Sequence, residues 1–424
     1  MHRRTLLSAG LAASALAAVT ACSGGGSGGG GSAETPSELT TIDFFTDKAA
    51  WEPSFEEMNQ TSTSINVELK FTGYSDPTAY DSFIKQAFRT RDVPDLFTWH
   101  TGGQLAELVE QNLVAETTDL WTEATSNNLV PEGLIDNYTH DGAQYGVPLN
   151  VAYWAMYYNK PIFEEHGLEV PTSWDELMAN CDTLMTAGIT PFHQMNIIFE
   201  FVWFQLLLMG QSPETYEALQ TGEASYTDPE VVTAAREWGR MIDEGYFVDP
   251  GVQTDPQTLL NTGEVAMAYL GTFFTGQLAS IGAVSGTDYG IFVPPNLNPA
   301  TSDPQMVIET GPLVAGSGSE NEAEVLAYSS WWFSDEAQNA WSTARGDVSF
   351  NPNVSIADPE LSALSDAVND PATVAQKRYL EATPLPIYTR STEVFGKFVT
   401  DGGDPMPMLE QLQTVADDYW AEQG

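Results

Sequence analysis

Basic residues are scarce in this chain. Lys and Arg together number 15 against 59 Asp and Glu, which gives a formal net charge of −44 at pH 7. A surface this acidic repels the phosphate backbone of nucleic acids and anionic lipid headgroups. The composition therefore excludes nucleic acid as a partner. Because 42% of the residues are hydrophobic, the chain can still form cores, and the acidic residues indicate a solvated surface.

Cysteine is scarce as well, since Cys22 and Cys181 are the only two. Cys22 lies in a segment typical of lipidation, described below, which leaves Cys181 without a partner for a disulfide or a cysteine metal site. The sequence also has no HExxH motif, no His/Cys metal spacing and no nucleophile elbow outside a Gly/Ser-rich stretch. We therefore predict no metal, no cofactor and no catalytic residue, and expect a binding protein instead of an enzyme.

The N-terminal segment is predicted to be an export signal followed by a tether. Arg3 and Arg4 precede a weakly apolar run that is too short for a membrane span, so residues 1–21 are predicted to be a signal peptide. Val19-Thr20-Ala21-Cys22 resembles a bacterial lipobox, which predicts lipidation of Cys22. The paired arginines fit a twin-arginine signal and an ordinary one equally, so the export route stays open. Residues 22–37, rich in Gly and Ser, are predicted to be a flexible tether.

The rest of the chain is expected to form two α/β lobes, because its length exceeds what one core usually holds. Residues 39–45 and 93–99 are predicted strands, and residues 65–71 alternate apolar and polar side chains with the period of a half-buried strand. Each is followed by apolar residues at helical spacing, as at Trp51, Phe55 and Met58. Strands that alternate with helices predict a parallel sheet.

Two helix starts are marked in the middle of the chain. Ser173 and Glu176 have the spacing of a capping box, in which each side chain bonds a free amide at the helix start. Asp228-Pro229 places proline at a first helical position, and Gly245 is predicted to end that helix. The middle section is therefore predicted to be richer in helix than the first.

Several short motifs occur in the order found in one known family. They are Gly146–Lys160, Pro171–Leu177, Ala187–Pro191, Gly263–Met267 and Ser330–Trp341. The set resembles family 1 extracellular solute-binding proteins. The resemblance implies an α/β, two-lobed, type II periplasmic-binding-protein-like fold with a ligand cleft between lobes joined by a hinge. It implies an N-terminal lobe of residues 38–147 and 292–340 and a C-terminal lobe of residues 148–291 and 341–424.

The same resemblance implies a function and partners. The protein is expected to capture a carbohydrate, a mono- or oligosaccharide, by cleft closure and to deliver it to the permease subunits of an ABC importer and their ATPase. Anchored through Cys22, it is expected to act as a monomer on the extracellular face of the cell membrane. The shortage of basic residues favours a neutral sugar. A glycan-active secreted hydrolase and a binding protein for a non-sugar solute are the alternatives, since acidic chains offer many carboxylate pairs.

Candidate ligand residues are predicted where strands end, because ligands of open α/β sheets bind beyond the carboxyl ends of the strands. Sugar binding needs flat apolar surface and polar groups at its rim. Phe45 and Asp47 lie at the end of the first predicted strand, and Trp99 and His100 lie at the end of the third. His100 is the strongest candidate, since related sugar-binding proteins bind a hydroxyl there. An alternating strand buries one residue of the pair Phe44 and Phe45, so core packing is an equal alternative for Phe45.

The remaining candidates lie later in the chain. Asn150 and Trp154 are at the first predicted crossover, and Phe273 occupies a place where relatives often have a stacking tryptophan. Phe199 and Trp203 are four residues apart on one helical face, so core packing is expected for at least one of them. The last two candidates are Glu309, shortly before Gly311, and Arg345, which is predicted to lie in a loop and is notable because arginine is rare here.

Overall fold

The computed structural model describes residues 36–90, 93–368 and 370–423. The signal peptide predicted at residues 1–21, the lipidation site Cys22 and the tether up to residue 35 lie outside the described residues. None of the described helices is both long and apolar enough to cross a membrane.

The described residues form a mixed α/β structure. The strands are β1 Thr40–Thr46, β2 Val67–Gly73, β3 Leu96–Thr98, β4 Thr139–His140, β5 Ala143–Gln144, β6 Val147–Asn159, β7 Thr190–Phe192, β8 Val265–Gly271, β9 Tyr289–Phe292, β10 Gln305–Ala315 and β11 Val374–Lys377. The helices are α1 Glu52–Thr61, α2 Pro77–Ala87, α3 Gly103–Glu110, α4 Thr118–Ser126, α5 Lys160–His166, α6 Trp174–Ala187, α7 Val202–Gln211, α8 Pro213–Thr221, α9 Pro229–Asp243, α10 Pro256–Thr262, α11 Phe273–Ser280, α12 Glu322–Trp332, α13 Asp335–Arg345, α14 Pro359–Val368, α15 Tyr379–Ala382, α16 Leu385–Asp401 and α17 Met406–Gln423. Short 3-10 turns occupy Ala49–Trp51, Ser62–Ile65 and Glu132–Asn137.

The three strands predicted from the first part of the chain are β1, β2 and β3. β1 pairs with both β2 and β3 in parallel, with helices between them, which confirms the predicted parallel sheet in this region. The main sheet has the order β2-β1-β3-β10-β6-β8-β7, and β9 and β11 pair with β6 and β10. β10 runs antiparallel to both of its neighbours in this order, β3 and β6.

The helix starts in the middle of the chain agree with the predictions in their main features. The Ser173 hydroxyl accepts a hydrogen bond from the Glu176 amide at 3.3 Å, so it caps α6. The reciprocal bond is shifted by one residue, since the Glu176 carboxylate accepts from the Thr172 amide at 2.7 Å. α9 begins at Pro229 and ends two residues before Gly245.

The hydrophobic side chains form two main cores, which define two lobes. The first core surrounds β1, β2 and the start of β6 and includes Ile42, Phe55 and Trp332. The second surrounds β7, β8 and the end of β6 and includes Phe192, Trp203 and further residues of α7, α9 and α16. A smaller cluster around Phe97 lies beside the first core. β6 and β10 contribute residues to both lobes, so these two strands form the connection between them.

The last crossover lies later in the chain than the predicted boundary after residue 340. Val348, Phe350 and Leu364 belong to the first core, and residues of the second core resume at Tyr379. The reason is the position of α13, whose Trp341 ring centroid lies 4.9 Å from that of Phe55 in α1. The packing therefore corrects the assignment of residues 341–368, while the other predicted lobe boundaries stay predictions.

Candidate ligand-binding site

Polar side chains meet at the carboxyl ends of β1 and β3 in the first lobe. Asp47 follows β1, and its Oδ1 accepts hydrogen bonds from the Thr98 hydroxyl at 3.0 Å and from the Lys48 ammonium at 2.9 Å. Burial alone would raise the pKa of the Asp47 carboxyl, but the Lys48 and His100 charges and these hydrogen bonds lower it to about 2. Asp47 is therefore ionised and held in place.

His100 lies beside this acid, two residues after the end of β3. Its side chain is partly buried and makes no hydrogen bond within the described residues. Burial lowers the pKa of His100 to about 4; Asp47 opposes this, whereas Lys48 and Arg378 reinforce it. The imidazole is consequently neutral near pH 7, with one nitrogen to donate and one to accept a hydrogen bond.

A buried ion cluster lies where β6 and β10 connect the lobes. The Arg378 guanidinium pairs with the carboxylates of Glu309 at 2.8 Å and of Glu381, and its Nε donates to Glu381 at 2.8 Å. The indole N–H of Trp154 donates to Glu309 Oε2, the same oxygen that pairs with Arg378, at 2.9 Å. Burial opposes the charge of Arg378, but the two carboxylates raise its pKa. The cluster thus fixes Trp154 against the hinge strands.

Three aromatic rings form the wall of the second lobe at this point. The Trp154 ring lies edge to face with Phe199 at a centroid distance of 5.2 Å and with Phe273 at 6.1 Å. The rings of Phe199 and Phe273 are nearly parallel and 6.2 Å apart. Trp154 is only 1% exposed, whereas both phenylalanines are partly exposed. Flat apolar surface is therefore available on this side, supplied by the two phenylalanines.

Asn150 completes the polar groups near the hinge. Its backbone carbonyl accepts a hydrogen bond from the Thr310 hydroxyl at 3.0 Å. Its side-chain amide is buried but makes no hydrogen bond to the part of the chain that the structure describes. The structure thus brings together the predicted residues Asp47, His100, Asn150, Trp154, Phe199, Phe273 and Glu309 around the junction of the two lobes.

Other predicted residues are engaged in packing. Trp99 is 3% exposed, and its indole N–H donates to the Gln104 carbonyl at 3.0 Å. Trp203 is 1% exposed and packs on Phe192 at 4.7 Å. Trp99 and Trp203 therefore pack in the cores, and their predicted ligand contacts stay predictions.

Phe45 and Arg345 also have partners within the first lobe. Phe44 is fully buried, while Phe45, on the other face of β1, is partly exposed and packs on Phe83 at 4.9 Å. The Arg345 guanidinium lies 4.0 Å from the Trp51 ring centroid. Their ligand contacts stay predictions.

Three residues of this region were missed from the sequence. Lys48 and Arg378 are basic residues in a chain with few of them, and the rarity that singled out Arg345 applies to both. Glu381 carries no signal in the sequence, because only the fold brings it to the hinge. No group of three or more His, Cys, Asp or Glu able to hold a metal ion occurs among the described residues.

The sequence matches known proteins over most of its length. Residues 54–372 match the family model described as bacterial extracellular solute-binding protein. An ABC transporter extracellular-binding protein of Pyrococcus horikoshii is 26% identical over 340 residues, which cover 76% of this chain and 71% of that protein. The multiple sugar-binding protein of Streptococcus mutans is 24% identical over 161 residues, which cover 38% of this chain and 37% of that protein.

The structure is similar to several solved structures. A chitin oligosaccharide binding protein matches with a TM-score of 0.76 at 19% identity, over 90% of this chain and 98% of that chain. The bacterial solute receptor AcbH, described as having an exclusive preference for b-D-galactopyranose, matches with a TM-score of 0.76 at 20% identity, over 90% and 98% of the two chains. RafE in complex with raffinose matches with a TM-score of 0.68 at 18% identity, over 90% and 99%. These similarities confirm the predicted two-lobed solute-binding fold.

Proposed function

The chain belongs to the family of bacterial extracellular solute-binding proteins, and from this we propose that it captures a neutral carbohydrate for an ABC importer. Proteins similar to it are named for chitin oligosaccharides, for multiple sugars and for raffinose. The proposed role is binding without chemical conversion of the solute. The sugar would be held between the lobes and passed to the permease subunits and their ATPase.

One observation carries the proposal of a neutral sugar, namely the combination of partly exposed rings with polar groups that have no partner. Phe199 and Phe273 offer apolar surface for the C–H face of a sugar ring. The side chains of His100 and Asn150 have no hydrogen-bond partner among the described residues, and His100 interacts electrostatically with Asp47 and with Arg378 of the hinge cluster. These groups supply the donors and acceptors that sugar hydroxyls need.

The charges near the junction support an uncharged solute. Lys48 is paired with Asp47, and Arg378 is paired with Glu309 and Glu381. An anionic solute would therefore find no free counter-charge among these basic groups, and taking one would leave a buried carboxylate unpaired. A neutral ligand leaves all these pairs intact.

The proposed mechanism is closure of the lobes around the sugar. β6 and β10 contribute to both cores, so a bend in these strands changes the angle between the lobes without disrupting either core. A ligand that contacts both lobes favours the closed arrangement by its additional contacts there. The permease can then distinguish loaded from empty receptor by this angle.

The proposed location is the extracellular face of the cell membrane. Lipidation of Cys22 would anchor the chain, and residues 23–37 would let the folded body move toward its permease. The proposal includes a monomer, because one cleft suffices for one solute.

A thermal-shift screen of sugars followed by calorimetry tests the function. A sugar present at one hundred times its dissociation constant stabilises the folded protein by roughly 2.7 kcal/mol, which raises its melting temperature. The expected result is one-to-one binding of at least one neutral sugar and no hydrolysis of a labelled oligosaccharide. Turnover would establish the hydrolase alternative, and a shift with amino acids or peptides alone would establish a non-sugar solute.

A further inference from the structure

The loop of residues 193–201 has features that packing alone does not explain. It connects β7 to α7 without regular secondary structure. β7 runs parallel to β8, so the loop leaves the same sheet edge that carries Phe273. We refer to it as the 193–201 loop.

Two polar side chains of this loop are buried without partners. Gln194 is 3% exposed and Glu200 is 2% exposed. The Oε1 atom of Gln194 and both carboxylate oxygens of Glu200 accept no hydrogen bond from the described residues. Buried polar atoms of native proteins are nearly always paired, so three unpaired acceptors in one short loop require an explanation.

The charge of Glu200 has no compensation either. Burial raises the pKa of its carboxyl to about 7, opposed only by the residue's own backbone N–H, which does not meet the geometry of a hydrogen bond. No basic residue of the described chain is close enough to lower that pKa. An acid that served only to stabilise the second lobe would be paired with a cation or a donor.

The tip of the loop is strained and apolar. Ile198 has φ of 69°, a left-handed conformation that is rare for a β-branched residue. Ile197 and Ile198 are 67% and 62% exposed, unlike most large apolar side chains of the described residues. Strain and exposed apolar surface at one place are typical of segments that act on a ligand.

The neighbours of Glu200 place it at the lobe junction. Phe199, before it, packs on Trp154 and Phe273. Phe201, after it, packs on Tyr388 at 6.0 Å. Besides burial, the charges of Glu200 and of the hinge residue Glu381 raise the pKa of Tyr388. The two chain neighbours of Glu200 therefore pack on the aromatic wall and on Tyr388, whose pKa responds to both Glu200 and Glu381.

We propose that Gln194 and Glu200 bind the solute, and that their three unpaired oxygens accept hydrogen bonds from a group with several donors. This proposal rests on the proposed capture of a carbohydrate and specifies the donor groups of the sugar. Binding of an ammonium would replace the neutral sugar proposed above by an amino sugar. Two sugar groups offer such donors: adjacent hydroxyls of a neutral sugar, and the ammonium of an amino sugar. Either one satisfies acceptors that the described chain leaves unpaired.

Calorimetry on the full chain with four probes tests the proposal: galactose, raffinose, di-N-acetylchitobiose and the glucosamine disaccharide. The variants are Glu200→Gln and Gln194→Leu. Tyr328→Phe is the matched control, because it removes a buried hydroxyl that also has no partner among the described residues but lies in the first core. We expect each loop variant to weaken the best probe at least tenfold, while the control binds it as wild type does.

The pH dependence separates the two donor groups. If the ammonium is bound, affinity of wild type for the glucosamine disaccharide passes through a maximum between pH 6 and pH 8, because Glu200 ionises while the amine loses its proton. Glu200→Gln abolishes the rise on the acid side of that maximum. If hydroxyls are bound, the neutral probes are preferred and their affinity changes little over this range. Equal binding by wild type and both variants overturns the proposal alone. Failure of every probe to bind wild type overturns the proposed function and this proposal with it.

Discussion

The unpaired carboxyl of Glu200 should make the ligand-free protein less stable as the pH rises. Its pKa is raised by burial from 4.5 to about 7 in the folded state. The folded protein therefore holds the proton more tightly than the unfolded chain. The contribution of the Glu200 proton to the free energy of unfolding is fully present below about pH 4.5 and is lost as the pH rises through 7. Replacing Glu200 by Gln removes this dependence.

The size of the effect follows from the pKa. Each unit of pKa difference corresponds to about 1.4 kcal/mol of stability. Between pH 5 and pH 8, the linkage relation gives a loss of about 2.5 kcal/mol in wild type that Glu200→Gln does not show. With an unfolding entropy of about 2.1 cal/mol/K per residue, this corresponds to roughly 3 °C in melting temperature for a chain of 424 residues.

Scanning calorimetry of wild type and Glu200→Gln at both pH values measures this. Asp81 and Asp347, whose pKa values burial raises to about 6, titrate in both proteins and cancel in the comparison. Glu56→Gln, at an exposed position of α1, is the control. It should lose stability between pH 5 and pH 8 as wild type does. A difference between wild type and Glu200→Gln that is the same at pH 5 and pH 8 would refute the reasoning, because the carboxyl would then be solvated.

Three further results are expected. His100→Ala should weaken binding of the sugar found by thermal shift about tenfold in calorimetry, whereas His166→Ala, at the end of α5, should leave it unchanged. Arg378→Met leaves two buried carboxylates without a counter-charge and should cost about 3–5 kcal/mol in urea unfolding. In the same measurement the partly exposed Arg390→Met should cost less than about 1 kcal/mol. Cys22→Ala should move the protein from the membrane fraction to the medium in an immunoblot, and unchanged membrane association would contradict the proposed lipid anchor.

Local periodicity explains how much of the first lobe could be predicted. β1, β2 and α1 follow from apolar residues spaced at two or at three to four residues, which depend only on neighbours along the chain. The proximity of Asp47 and His100 also followed, since parallel strands end at the same edge of a sheet. The sequence could not predict the protonation state of His100, because its low pKa depends on burial by residues distant in the chain.

The local sequence could not predict which of the aromatic candidates border the lobe junction and which pack in a core. Phe199 and Trp203 have the same helical spacing, yet Phe199 borders the lobe junction and Trp203 packs in the second core. The difference arises because residues 193–201 are irregular and α7 begins only at Val202. A periodicity argument assumes a continuous helix and fails at such a break.

The sequence by itself determined the family and the two-lobed α/β class, and it indicated the strand ends near which we propose that a ligand binds, because motif order and periodicity are properties of the chain alone. Only the tertiary structure decided which groups are paired and which are left unpaired. Arg378 pairs with Glu309 across about seventy residues of chain, whereas Glu200 pairs with no cation of the described residues. Pairing depends on burial and on long-range contacts, which no local pattern encodes.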